Sequence, residues 1–296
     1  MTRRTLLQAA VLARPAPRPA LAITMDDFNW AAIPAPFGPV ANRTLLDTLE
    51  AHGVKAALFA IGGNVDQPQG RTLLEAWNEA GHLIGNHTYS HRNYSSLNAA
   101  EFSIGILRCD EVLKPYSQYT RYFRFPLLKE GNTAEKRDLM RAFLKDNGFH
   151  NGHVTIDASD WFYNAELTRH LAENAAYDVG RFRGPYLAHL WDRAQYYDRL
   201  ARAVTNRSPS HTLLVHYNLI NVLFLGDALQ MFKEKNWRLI SAREAYRDPI
   251  FRAAPRTVPA GESLVWALAR ESGRFDGELR YPGEDGVYEM PKVASL

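Results

Sequence analysis

The chain has a single cysteine, Cys109, in 296 residues. It can close no internal disulfide and supports no Cys-based metal motif, so any metal must be held by His, Asp or Glu. Cys109 lies in EFSIGILRCDEVL, an amphipathic helical pattern, and reads as a buried structural thiol. No apolar run approaches the roughly 20 residues that cross a bilayer, which excludes a membrane-spanning helix. Charge of one sign is also scarce: 35 Lys and Arg against 32 Asp and Glu leave a formal net charge of +3, with no basic block. Nucleic acid is therefore a poor partner. There are no internal repeats or low-complexity tracts.

What is present is a soluble globular composition, 46% apolar and 23% charged. The length suits a single α/β barrel. Aromatics, at 11%, could serve as platforms for sugar rings, although most aromatics are core. Three segments are expected: residues 1–19 as a leader, 20–250 as a catalytic barrel and 251–296 as a C-terminal extension rich in Pro, Gly and charge that hugs the surface. In the leader, Thr2-Arg3-Arg4 followed by Leu6 and Leu7 resembles the start of a twin-arginine export signal, which implies a periplasmic or extracellular protein. The apolar stretch is short and broken by Arg14 and prolines, so a plain basic leader on a cytoplasmic protein is the alternative.

Short apolar runs alternate with helical patterns. Strands are expected over Ala20–Met25, Val54–Gly63, 82–86, 122–125, 153–157, 211–217 and 237–241. Helices are expected over 70–81, 98–115 with Asn98 as cap, 133–148 with Thr133 as cap, Pro185–Val204 and 222–236. Strand–helix alternation points to parallel strands in a barrel or doubly wound sheet. The polar residues of interest fall at C-terminal strand ends: Asp26 and Asp27, His87, Arg124, Asp157 and Asp160, and His216. In a barrel that face carries the loops of the active site.

His87 and His91, at i and i+4, can face one way from a helical turn or tight loop. A lone H-x-x-x-H is more often an ordinary polar loop than a ligand pair. The adjacent aspartates change the weighting, because two His and one carboxylate leave open positions on a divalent metal. One aspartate can then bind metal while its neighbour acts as general base. His52, His82, His150, His153 and His211 read as surface or loop residues. Arg181 and Arg183 read as solvated, with contact to an anionic sugar as the alternative.

Five short motifs occur in order: TMDDF (Thr24–Phe28), HTYSH (His87–His91), RFPL (Arg124–Leu127), DASDW (Asp157–Trp161) and LLVH (Leu213–His216). Together they resemble the signature of the NodB-like polysaccharide deacetylases, carbohydrate esterase family 4 (CE4). The resemblance runs from Ala20 to about Ser241. It implies a distorted (β/α) barrel of seven or eight parallel strands and a metal-dependent hydrolase of C–N bonds other than peptide bonds. By matching position it implies Asp27, His87 and His91 as metal ligands. The metal is commonly zinc, with cobalt, nickel or manganese as alternatives. It implies Asp26 as base, Arg124 as its partner, His216 as acid, and Asp160 as the group that orients His216 and raises its pKa. Trp161 and Leu213 would wall the acyl pocket, and the metal with a backbone N–H at Leu127 would stabilise the oxyanion.

The sequence departs from the usual pattern at Met25, Phe28 and Leu127. Phe28, Asn29 and Trp30 put aromatic bulk where many members keep an open groove. This predicts a narrow mouth lined by Phe28 and Trp30, and a preference for short oligosaccharides. The acid, base and metal positions are intact. The leading function is therefore removal of N-acetyl, or alternatively O-acetyl, groups from an amino sugar or oligosaccharide. Deformylation or another amide hydrolysis is the alternative within the superfamily. A non-catalytic carbohydrate-binding protein should have lost Asp26 or His216, and an iron oxygenase leaves Arg124 and the Asp160–His216 pair unexplained.

Overall fold

The computed structural model describes residues 18–280, 285–294 and 296. The expected leader falls almost entirely outside them. Among the described residues no helix is long and apolar enough to cross a membrane.

Ten strands form among the described residues: β1 (Ala20–Asp27), β2 (Ala57–Ala60), β3 (Leu83–Asn86), β4 (Tyr119–Phe123), β5 (Lys129–Gly131), β6 (His150–Asn151), β7 (Ile156–Asp157), β8 (Ser210–His216), β9 (Arg238–Leu239) and β10 (Ala260–Gly261). Seven lie in the order β6-β4-β3-β2-β1-β8-β7, all paired in parallel, and β9 adds to β1. The edge strands β6 and β7 are joined only by residues 152–155, so the sheet curls back toward itself as a distorted barrel open between those edges.

The two faces of β1 show why the sheet curls around so little. Leu21, Ile23 and Met25 point into the main core beneath the helices, while Ala20 and Ala22 point inward with Ala57, Phe59 and Leu83. The interior is filled by the Phe59 ring. A Cβ at Gly85 would lie 2.6 Å from that ring and one at Gly152 only 2.4 Å, so the small residues make the room the ring needs. Ile240, Ala242, Ala245 and Tyr246 close the interior from the opposite end of the strands.

The helix Ala99–Leu113 forms as the pattern predicts. Phe102, Ile106, Cys109 and Leu113 are buried on one stripe, and Asn98 and Glu101 make a reciprocal capping box. Thr133 caps the helix Ala134–Asp146 by accepting from the Lys136 N–H. Among the described residues three of the longer helices escape the sequence pattern: Gly38–Ala51, whose start is hidden in a proline-rich stretch, Asp160–Glu173, which begins inside the fourth motif, and Leu264–Ser272 in the C-terminal extension.

The C-terminal extension does not simply hug the surface. The helix Leu264–Ser272 buries Leu264, Val265, Trp266, Ala267 and Ala269 in the main core, packed on the helix Arg183–Thr205. Upstream of it, β10 pairs antiparallel with β5 beside the third motif. At roughly 2 kcal/mol for each large apolar side chain, this burial makes the segment part of the folded unit.

Candidate active site

Parallel pairing brings the strand ends to one level. Asp26 lies directly across from His216, and Asp27 from Ala60, which in turn faces Asn86. The next residue of the β3 chain, His87, donates its backbone N–H to Ala60 O. Alternation along β1 would send Asp26 and Asp27 to opposite faces. The backbone solves this by turning left-handed at Asp27 (φ 77°) and Phe28 (φ 45°). Thr88, His91, Leu127 and Ser159 also have positive φ, so each of the first four motifs carries such a residue. For non-glycine residues this costs on the order of 1 kcal/mol apiece, and strain of this kind concentrates where geometry serves a site.

Asp27, His87 and His91 offer ligand atoms that all lie within 4.8 Å of one another. Asp27 Oδ1 is 3.4 Å from His87 Nε2 and 3.1 Å from His91 Nε2, yet it is buried and makes no hydrogen bond. His87 Nδ1 sits 2.9 Å from the Arg124 carbonyl, which can only accept, so Nδ1 carries the proton. That leaves the Nε2 lone pair facing a carboxylate oxygen, an arrangement unfavourable alone and suited to a shared cation. The three residues thus fit a divalent metal site.

The loop bearing the histidines is held from behind by the short helix Gly62–Val65. The Gly62 N–H donates to Thr88 O at 2.9 Å and the Gly63 N–H to Tyr89 O at 2.8 Å. A Cβ on Gly63 would come within 2.8 Å of the same Tyr89 oxygen. Gly63→Ala should therefore displace His91 and weaken metal binding roughly tenfold, as losses around a ligand shell do. Titration calorimetry with zinc measures this, and unchanged affinity would contradict it.

Asp26 is buried and receives Arg124 Nη1 on Oδ1 at 2.6 Å. Its Oδ2 lies 3.7 Å from His87 Nε2, on the metal side. Across the cleft, His216 Nδ1 and Asp160 Oδ1 are 2.6 Å apart, and the His216 N–H donates to Asp160 Oδ2 at 2.8 Å. Asn218 and Asn221 add side-chain N–H donors to the same carboxylate at 3.0 and 2.7 Å. Burial alone would lower the His216 pKa, but the Asp160 carboxylate outweighs it and pushes it up to about 10. Burial likewise works against ionised Asp160, and His216 reverses the sign and lowers it. Asp157 also reaches the cleft, and burial raises its pKa against the pull of Arg193.

The cleft has a volume of about 580 Å³, within the range of small-molecule sites. Asp26, Asp27, His87, His91, Leu127, Trp161 and His216 line it. Trp161 is 46% exposed and Leu127 56%, so both are available to a ligand. Arg124 and Asp160 stand one layer behind, each under the residue it serves.

Three expectations are corrected. Leu213 packs in the core under the helices, and Leu214 lines the cleft instead. Phe28 is wholly buried against Tyr217 with ring centroids 5.2 Å apart. Trp30 turns away to donate to Asn64 O. Neither aromatic lines the cleft, and Asn29, Ala32, Ile33 and Pro34 form that wall. The basis for a short-chain preference therefore falls away. His82 and His211 are buried, His82 accepting from the Ala56 N–H and His211 lying between Thr155 and Asp198. Arg181 and Arg183 do not reach the cleft, and Arg183 pairs with Asp227. The sequence reading misses Asn218 and Asn221, which hold Asp160, and the Gly62–Gly63 pair, which holds the histidine loop.

The family model for polysaccharide deacetylases matches residues 13–149. A peptidoglycan-N-acetylglucosamine deacetylase of Bacillus cereus is 32% identical over 143 residues, 48% of this chain and 46% of that protein. A probable peptidoglycan-N-acetylglucosamine deacetylase of Arthroderma benhamiae is 26% identical over 253 residues, 83% of this chain and 48% of that protein. The chain thus spans about half the length of these curated relatives. Among solved structures, the chitin deacetylase of Colletotrichum lindemuthianum superposes with a TM-score of 0.53 at 21% identity, covering 78% of this chain and 88% of that one. A CE4 family pseudoenzyme from Bacillus anthracis superposes with a TM-score of 0.54 at 17% identity, covering 77% of this chain and 65% of that one. The shared fold spans both active and inactive proteins, so catalysis has to be argued from side chains. The ordered motifs, the family match over residues 13–149 and the common barrel agree in likening the chain to the NodB-like polysaccharide deacetylases.

Proposed function

We propose that the protein is a metal-dependent hydrolase that removes N-acetyl groups from an amino sugar or oligosaccharide. One observation carries the reading: an Asp26–Arg124 pair and a His216–Asp160 pair flank the Asp27–His87–His91 cluster in a single cleft. Asp27, His87 and His91 would hold the metal, for which we favour zinc. The ion would supply Lewis acidity toward the attacking water and the acyl oxygen.

The protein's own groups then divide the proton work. Arg124 holds Asp26 through Oδ1, and Asp26 takes the proton of the water that attacks the acyl carbon. His216, held by Asp160 through Nδ1, presents Nε2 to the cleft and gives its proton to the departing amine nitrogen as the C–N bond breaks. We assign the Leu127 backbone N–H to the acyl oxygen, and Leu214 with Trp161 to the acyl methyl and the sugar face. The relatives named as peptidoglycan-N-acetylglucosamine and chitin deacetylases support an amino-sugar substrate. The Thr2-Arg3-Arg4 leader supports action outside the cytoplasm.

Acetate release from chitooligosaccharides, peptidoglycan fragments and acetylated xylan, with added divalent metal, tests this. Acetate from the amino-sugar substrates is expected. Release from xylan alone would make the enzyme an O-deacetylase, and formate from N-formyl sugars without acetate from any substrate would make it a deformylase.

A further inference from the structure

We infer that Tyr246 is a positioning residue for the base. It sets the guanidinium of Arg124 from the far side of the barrel, and so fixes which oxygen of Asp26 is left for the water. This rests on the reading of Asp26 as base. Tyr246 lies outside the five motifs and outside residues 13–149, in the segment that closes the barrel interior opposite the cleft.

Arg124 is buried and almost fully committed. Nε donates to Gly152 O at 2.8 Å, Nη1 to Asp26 Oδ1 at 2.6 Å and to Thr24 Oγ1 at 3.0 Å, and Nη2 to the Tyr246 hydroxyl at 2.9 Å. The Cζ lies 4.0 Å over the Phe59 ring, which fixes the plane of the fork. Gly152 O on Nε and Asp26 with Thr24 on Nη1 hold the guanidinium from two different sides. Tyr246 accepts from Nη2, the remaining terminal nitrogen, and so completes the hold on the fork. The phenol is rigidly held: its ring stacks on Tyr122 at 4.5 Å and meets Phe251 edge-on at 5.0 Å. As a neutral acceptor it holds Nη2 without competing for the charge, which stays directed at Asp26. Without the hydroxyl a buried N–H loses its partner, and the fork can swing to offer Nη2 elsewhere.

Tyr246→Phe keeps both ring contacts and removes only the oxygen. We expect kcat for acetate release to fall about tenfold, with KM and metal content unchanged. In an Arg124→Lys background the same change should do nothing further, because the fork it positions is gone. A wild-type kcat in Tyr246→Phe, or an equal loss in both backgrounds, would overturn the inference. A wild-type protein that releases no acetate would instead sink the reading on which it rests. The side-chain 15N resonances of Arg124 separate the two cases. Tyr246→Phe should shift the Nη2 signal and speed its exchange whether or not the enzyme is active, and an unmoved signal would reject the positioning role.

Discussion

Asp26→Asn is expected to remain metal-loaded and nearly inactive, and Asp27→Asn to lose metal and activity together. The two residues are chain neighbours with almost the same chemistry, so the split comes from geometry alone. Asp27 Oδ1 lies within 3.4 Å of both imidazole nitrogens and has no hydrogen bond of its own. Asparagine there offers a neutral ligand in place of a charged one. Asp26 instead spends one oxygen on Arg124 and keeps the other toward the cleft. Loss of a general base typically costs ~10²–10⁴ in rate while the metal can stay. Metal content by plasma emission and kcat measured on the same samples check both halves. Metal-free Asp26→Asn with metal-loaded Asp27→Asn would reverse the two roles.

His216→Ala should cut release of N-linked acetate by ~10²–10³ and damage hydrolysis of an activated aryl acetate far less. An amine leaves only if it is protonated, whereas a phenolate needs no proton. The variant should fold, because Asp160 keeps N–H donors from residue 216 itself, Asn218 and Asn221. Equal damage on both substrates would argue against the acid role. The pH dependence has a definite sign. The His216 pKa lies at 6.5 ordinarily and is pushed up to about 10 here. The acid form is therefore present at neutral pH, and activity should fall as pH rises through the folded value. Stability follows the same proton: between about pH 6.5 and 10 the folded chain holds it and the unfolded chain has released it, so stability from this pair is complete below 6.5 and lost toward 10. The Tm of the wild type should accordingly drop more steeply over that window than the Tm of His216→Ala.

Much of this site was legible because its chemistry is local. Asp26 and Asp27, His87, Arg124 and His216 each sit at or next to a strand end that an apolar run announces, His91 and Asp160 follow within five residues, and parallel pairing does the assembly. What was hidden depends on backbone turns and on distant contacts. Phe28 reads as a cleft aromatic until the left-handed turn at Asp27 and Phe28 rolls it into the core. The substitution of Leu214 for Leu213 was open to discovery, since side chains two apart share a strand face and His216 already marks the cleft side. Tyr246 gave no such signal. It reaches Arg124 across 122 residues of chain, and nothing in AREAYRDP separates it from an ordinary buried tyrosine.

The central claim is that acyl hydrolysis here depends on one metal at Asp27, His87 and His91. Acetate release from an N-acetylated chitooligosaccharide, followed as zinc is added stepwise to chelator-treated protein, tests it most directly. Activity should be absent at the start and rise linearly to a plateau at one zinc per chain in the wild type, with His87→Ala inactive throughout. Full activity in the metal-free protein, or a His87→Ala titration that matches the wild type, would contradict the account.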